Sequence, residues 1–201
     1  MGHMGWDDLK SSRQDTRFRR GGYEQADREH AGTDPTYSDR PSGTPAFYAS
    51  LPAKQVAAAC LFRDDVGRVL LVKPVYKDPW ELPGGGVDEN ESPLAACARE
   101  LQEELGIDLV PGRLLCVDYR AAVDGIRGDA LRFVFDGGML TSAHCDQFVL
   151  DPKELLQWSF VDRADLDTLV TPAMARRIRA ALVAEASPVY LEEGYPPSLW
   201  S

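Results

Sequence analysis

Residues 85–107 read GGVDENESPLAACARELQEELGI, a glycine-led loop followed by a segment with helical periodicity. Both ends of that helix are marked in the sequence. Ser92 is a capping residue type, Pro93 suits the first helical position, and Gly106 is typical of the position just past a helix end. Apolar residues recur between these ends at spacings of three and four: Leu94, Cys97, Ala98, Leu101 and Leu105. The pattern predicts an amphipathic helix that buries one stripe against a sheet.

Three carboxylates crowd a patch beside this stripe. Glu100, Glu103 and Glu104 are spaced i, i+3 and i+4, and like charges at this spacing destabilise a helix by about 0.2–0.5 kcal/mol per pair. By themselves they would indicate only a solvated helix face. However, residues 84–86 just upstream are all glycine, so their backbone can approach a ligand closely. Carboxylates and carbonyl oxygens are ligands of hard cations, so we expect Mg²⁺, with Mn²⁺ as second option, and pyrophosphate chemistry.

The same stretch resembles the Nudix box, whose pattern is G-x5-E-x7-R-E-U-x-E-E-x-G-U with U aliphatic. Every fixed position is filled between Gly85 and Ile107. The resemblance extends over about residues 51–186. It implies an α/β fold of the Nudix type, an α/β/α sandwich with a mixed β-sheet. It also implies an enzyme, a Nudix hydrolase that uses water to cleave the pyrophosphate of a nucleoside diphosphate linked to another group X.

The resemblance assigns chemical roles to individual residues. Glu100, Glu103 and Glu104 correspond to the glutamates that bind divalent ions, unless one of them deprotonates the attacking water instead. Gly84 corresponds to a residue whose carbonyl oxygen often completes the metal shell. Several family members add a catalytic or metal-binding glutamate from a later loop, and Glu154 lies nearest to that place. The alternative for Glu154 is an exposed, uninvolved helix-face glutamate.

Three further positions of the box have structural roles in the family. Gly85 opens the motif. Arg99 and Glu91 correspond to a pair that braces the loop against the helix through a charge-assisted contact. We therefore expect Glu91 to be structural rather than catalytic.

The substrate is less well determined by the sequence. Residues that mark family members acting on ADP-ribose or dinucleoside polyphosphates are missing at their expected places, near Ala122 and Val123. We therefore favour a nucleoside triphosphate or related nucleotide derivative. The alternatives are an ADP-ribose or nucleotide-sugar pyrophosphatase, and a non-hydrolytic nucleotide-binding or regulatory module. Candidate substrate-binding residues, which also read as core aromatics or plain surface charges, are Tyr76, Trp80, Tyr119, Lys73 and Arg127.

The remaining sequence predicts more strands and one more helix. Apolar runs at 54–63 and 68–76 flank a short turn and predict a β-hairpin. Three later strands and a second helix are predicted at 113–120, 131–140, 157–162 and 172–186. Residues 1–45 are polar and poor in aliphatic side chains. We expect an N-terminal extension there, with an expression-tag remnant at 1–4, that is disordered or packed on a partner; the hydrolase domain is predicted at 46–201.

Composition limits the classes of partner that we expect the chain to bind. The chain of 201 residues has 22 Lys and Arg against 32 Asp and Glu, for a net charge of -10. This charge disfavours nucleic acid, and we expect a small nucleotide-type substrate. The absence of a long apolar run or a signal-peptide pattern predicts a cytoplasmic protein with no membrane partner. Because family members are often homodimers, a homodimer is the expected assembly.

Overall fold

Seven strands and four helices are described between Gln55 and Glu192. The computed structural model describes residue 47 and residues 50–184 and 186–197, so the predicted extension 1–45 lies outside the described residues. In chain order the elements are β1 (Gln55–Arg63), β2 (Val69–Pro74), β3 (Gly84–Gly86), α1 (Pro93–Leu105), β4 (Leu114–Arg120), β5 (Ala130–Met139), α2 (Ser142–Cys145), β6 (Leu155–Val161), α3 (Leu166–Leu169), α4 (Pro172–Leu182) and β7 (Val189–Glu192).

The strands form one mixed sheet. Its order is β6-β2-β1-β5-β4-β7, and the short β3 also pairs with β1. β1 runs parallel to β5 and β4 runs parallel to β7, whereas the other pairs are antiparallel. The predicted hairpin forms, but β1 and β2 pair at its turn end, where Arg63 lies opposite Val69. Most of β2 pairs instead with β6.

Helices cover both faces of this sheet. In β1, Leu61 belongs to a core cluster with Ile178 of α4. Its neighbours Cys60 and Phe62 point to the opposite face and are also fully buried. α1 packs against β1 and β3, whereas α4 packs against β4 and β7. The predicted α/β/α sandwich with a mixed sheet is therefore confirmed.

Helix α1 begins and ends as its sequence predicts. The Ser92 hydroxyl accepts a hydrogen bond from the Ala95 N–H at 3.2 Å. Gly106 has φ 71°, and its N–H donates to the carbonyl of Gln102 at 3.1 Å. Because this left-handed conformation strains residues with a Cβ atom, glycine is the residue that ends the helix cleanly.

The buried face of α1 is wider than its apolar stripe. Cys97, Leu101 and Leu105 are fully buried as expected, whereas Leu94 is only half-buried. Glu104 is also buried, with 8% of its surface exposed. The helix thus carries a carboxylate into its contact with the sheet.

Helix α4 is shorter than predicted. It ends at Leu182 rather than at residue 186, because the Val183 N–H turns back to the carbonyl of Ala180 at 3.3 Å. α2, α3 and β7 have four residues each and were not predicted. No helix in the described ranges combines the length and the hydropathy needed to cross a bilayer.

Candidate active site

Three glutamates meet beside β3. Glu100 and Glu104 project from α1, and Glu154 reaches them from the turn before β6. One carboxylate oxygen of each lies within 4.8 Å of the others. The Val75 N–H holds the carbonyl of Glu154 at 2.9 Å, which fixes this turn against the end of β2. We call these three residues the acidic group.

The charges of the acidic group are compensated only at Glu100, by Arg99, among the described residues. Among the described residues, no Lys or Arg forms an ion pair with Glu104 or Glu154. The Gly84 N–H donates to Oε2 of Glu104 at 2.8 Å. Burial raises the pKa of Glu104 to about 8, and the nearby charges of Glu100 and Glu154 act in the same direction against that hydrogen bond. Such a cluster fits a divalent cation, which restores the charged form of each ligand.

Arg99 ties the loop before α1 to the helix. Its guanidinium donates to both carboxylate oxygens of Glu91, at 3.0 and 2.9 Å, and to the carbonyl of Gly86 at 2.9 Å. The contact with Arg99 lowers the pKa of Glu91. The same guanidinium donates to Oε1 of Glu100 at 2.9 Å. Arg99 therefore positions a member of the acidic group while it holds the loop.

Glu103 lies outside the acidic group. Its side chain is 51% exposed, and Oε2 accepts a hydrogen bond from Arg99 at 2.9 Å. The metal-binding role expected for Glu103 stays a prediction. The structure brings Glu154 to Glu100 and Glu104 in its place.

We expect a different result when alanine replaces each of the three glycines of β3. At Gly85, an added Cβ would lie 2.4 Å from Oε1 of Glu100, the mobile end of a side chain. We expect Gly85→Ala to fold but to lose about 10- to 100-fold in metal affinity, because Glu100 must move. At Gly84, with φ 137°, the Cβ would lie 2.3 Å from the backbone oxygen of Ala58. Gly84→Ala should therefore destabilise the fold by about 1–3 kcal/mol.

Gly86→Ala is the matched control for both variants. A Cβ at Gly86 meets no atom within 4 Å, so its stability and metal affinity should equal those of the wild type. Calorimetric titration with Mn²⁺ and urea denaturation measure the two properties separately. Wild-type metal affinity in Gly85→Ala would contradict the role given to Glu100.

The raised pKa of Glu104 makes the stability of the metal-free protein depend on pH. The folded state holds a proton up to about pH 8, whereas the unfolded carboxyl releases it near 4.5. Between these values the folded state binds more protons, so stability should fall as pH rises from about 4.5 to 8. The expected loss is on the order of a few kcal/mol, at about 1.4 kcal/mol per pKa unit.

Urea denaturation in EDTA across this pH range measures the effect. Glu104→Gln should flatten the profile, because its side chain carries no proton to release. Added Mg²⁺ should stabilise the wild type more at pH 8 than at pH 5. A wild-type profile identical to that of Glu104→Gln would contradict the assignment.

A cleft of about 730 Å³ adjoins the acidic group. It lies beside β1, β3, β5 and α4, and its lining includes Ala57, Gly86, Arg132 and Arg177. Gly84 belongs both to this lining and to the hydrogen bond with Glu104. A ligand in the cleft therefore lies next to the acidic group.

Of the five predicted substrate-binding residues, one lines this cleft and four do not. Tyr76 lines it and is 71% exposed. Trp80 instead packs against the core cluster. The other three are also absent from the lining of the cleft and hold protein partners: Lys73 with Asp78, Tyr119 with Asp129, and Arg127 with the carbonyl of Ala121.

Sequence reasoning missed two arginines that line the cleft and the buried aspartate that pairs with one of them. Asp118 in β4, Arg132 in β5 and Arg177 in α4 did not enter the predicted site. Each nevertheless interrupts an apolar pattern, in LLCVDYR, LRFVF and ARRIRAAL respectively. A charge at a position predicted to face the core was the available signal, because such charges need a partner or a ligand.

A comparison with family models decides the classification. The NUDIX domain model matches residues 53–183. The chain belongs to the Nudix family. The predicted membership in the Nudix hydrolases is therefore confirmed, and the matched range includes α1, the acidic group and the cleft.

Curated relatives match this Nudix chain over short segments. Diphosphoinositol polyphosphate phosphohydrolase 2 of Rattus norvegicus is 44% identical over 63 residues, which is 31% of this chain and 35% of that protein. RNA pyrophosphohydrolase of Ectopseudomonas mendocina (strain ymp) is 42% identical over 48 residues, 24% of this chain and 30% of the relative. The chain thus spans about a third of the length of these two relatives.

A solved structure agrees with the fold. The MutT protein from Methanosarcina mazei Go1 superposes with a TM-score of 0.53 at 27% identity. The match covers 66% of this chain and 96% of that one. The Nudix core is therefore shared over nearly the whole length of the smaller protein.

Proposed function

We propose that this Nudix protein hydrolyses a phosphoanhydride bond in a nucleoside diphosphate linked to another group X, with Mg²⁺ held by Glu100 and Glu104 of the acidic group. One observation carries the proposal: three carboxylates meet beside a glycine strand that lines a cleft, and within the described ranges Glu104 and Glu154 have no cationic partner. The relatives named as phosphohydrolase and pyrophosphohydrolase support the same reaction class. Mn²⁺ suits the same oxygen ligands.

Each residue of the site has a separate proposed role. A bound divalent ion would supply charge neutralisation at phosphate oxygens and lower the pKa of water. Glu100 and Glu104 would hold the ion, with Arg99 orienting the first and the Gly84 N–H orienting the second. We assign Glu154 to accept the proton of the attacking water, because it is exposed and lies against the two helix carboxylates. Gly84 would add its carbonyl oxygen to the metal shell.

A nucleoside triphosphate or related derivative is the proposed substrate. The cleft volume of about 730 Å³ falls within the range of about 300–1,000 Å³ common to small-molecule sites. Tyr76 offers an aromatic surface for a base at the cleft. ADP-ribose and nucleotide sugars have similar dimensions, so they belong in the same test.

Product release from a substrate panel tests the proposal. The panel contains nucleoside triphosphates, oxidised nucleotides, ADP-ribose, nucleotide sugars and dinucleoside polyphosphates, each with Mg²⁺ and with EDTA. We expect metal-dependent turnover of one group, with turnover by Glu104→Gln strongly reduced. No turnover by the wild type, together with metal-dependent nucleotide binding, would replace hydrolysis by a binding or regulatory role.

The cytoplasmic location and the homodimer expected from the sequence are also proposals. They are supported by the sequence pattern and by the resemblance to the family. Light scattering of the purified protein distinguishes a dimer from a monomer.

A further inference from the structure

Four arginines lie near one another around Arg132: Arg132 and Arg177 line the cleft, and the charges of Arg120 and Arg127 act on Arg132. We call them the arginine wall. Arg132 lies in β5, opposite Ala57 of β1 and Asp118 of β4. Directly opposed residues in neighbouring strands point to the same face of a sheet. Arg132 therefore shares a face with Asp118 and lines the cleft together with Arg177.

The carboxylates beside the arginine wall are already engaged. Oδ2 of Asp118 accepts from Nε of Arg177 at 2.7 Å, and Oδ1 accepts from the Gly194 N–H at 2.9 Å. Glu193 lies 3.5 Å from Arg120 and 3.9 Å from Arg127, and it also accepts from a backbone N–H at 2.8 Å. Glu81 also lines the cleft and acts on Arg132, but it is ion-paired with Lys77, so all three of these carboxylates already have partners.

Arg132 itself has no partner among the described residues. Its Nε is buried without a hydrogen bond, and no carboxylate in the part of the chain that the structure describes lies within ion-pair distance of its guanidinium. Burial lowers the pKa of Arg132, and the charges of Arg177 and Arg120 lower it further. An unpaired, half-buried cation is costly in a protein, and here it occurs in a chain of net charge -10. A group that binds from outside the protein would relieve this cost.

The sheet register separates Arg132 from β3, the glycine strand beside the acidic group. Gly86 and Arg132 both lie opposite Ala57, on its two sides. Neighbouring strands are about 4.7–4.9 Å apart, so the two backbones are separated by about 10 Å. One nucleotide derivative can therefore reach both β3 and Arg132.

We propose that Arg132 binds a phosphate group of the substrate other than the one that is cleaved. The guanidinium matches phosphate oxygens in charge and in hydrogen-bond geometry. The arginine wall then selects substrates that carry a further anionic group beyond the reacting phosphoanhydride. This inference deepens the proposed function and rests on it for the statement that the ligand is the substrate.

Pyrophosphate binding to the metal-free protein tests Arg132 without any need for catalysis. In EDTA the acidic group repels anions, so bound pyrophosphate reports on the arginine wall. At constant ionic strength, calorimetric titration should show saturable binding to the wild type. Arg132→Gln should weaken it about 10- to 100-fold, the range for a charge-assisted hydrogen bond, and Arg132→Lys should fall between the two.

Arg179→Gln is the matched control, because Arg179 lies on α4 but is ion-paired with exposed Asp167. It should bind pyrophosphate like the wild type. Arg132→Gln should be at least as stable as the wild type, since it removes an unpaired charge. Absent binding by the wild type, or equal binding by Arg132→Gln, would overturn the proposal. A failure of the substrate panel would leave this binding result intact, so the two proposals fail separately.

Discussion

Glu104→Gln should lower kcat about 10²- to 10⁴-fold in the presence of Mg²⁺, with the fold retained. The amide has the size of the carboxylate and still accepts the hydrogen bond from the Gly84 N–H. It cannot supply the negative charge that a hard cation needs at this buried position. Because Glu104 is buried and its pKa is raised to about 8, removing the charge should not reduce the stability of the metal-free protein.

Two further variants serve as comparisons for Glu104→Gln. Glu192→Gln, at an exposed carboxylate in β7, should keep wild-type activity. Glu103→Gln tests the position that the resemblance places among the metal ligands and the structure places outside the acidic group. We expect a smaller loss of kcat for Glu103→Gln than for Glu104→Gln. The reverse order would show that the working site assembles differently around α1.

Asp118→Ala should destabilise the protein by about 3–5 kcal/mol. Asp118 is fully buried and Arg177 is 3% exposed, and their ion pair joins β4 to α4. Removing the carboxylate leaves the guanidinium of Arg177 buried without its counterion. It also leaves the Gly194 N–H without its acceptor. Urea denaturation of the metal-free protein measures the loss.

A double variant distinguishes two contributions to this loss of stability: the lost attraction between Asp118 and Arg177, and the cost of leaving Arg177 charged and buried. Asp118→Ala combined with Arg177→Met should be more stable than Asp118→Ala alone, because no unpaired charge is left. Asp167→Ala, in the exposed pair with Arg179, should give no measurable change. A stability of Asp118→Ala equal to that of the wild type would contradict the role given to this ion pair.

The sequence predicted α1 and the main strands because their signals are local. A cap at Ser92 and a left-handed glycine at Gly106 require only neighbouring residues, and the structure contains both. The same holds for the periodic apolar runs. The short α2, α3 and β7 were missed because four residues are too few to establish a period.

The sequence by itself determined the family, the fold class and the carboxylates of α1, since the motif that indicates them occupies 23 consecutive residues. Only the tertiary structure decided that Glu154 joins Glu100 and Glu104 while Glu103 turns to Arg99. Likewise, the ion pair of Arg177 with Asp118 depends on the packing of α4 against β4, and the place of Arg132 in the cleft depends on which strands neighbour β5. Such contacts join residues far apart in the chain. The interaction energies and pKa values of their charged groups depend on burial and distance, which only the folded structure sets.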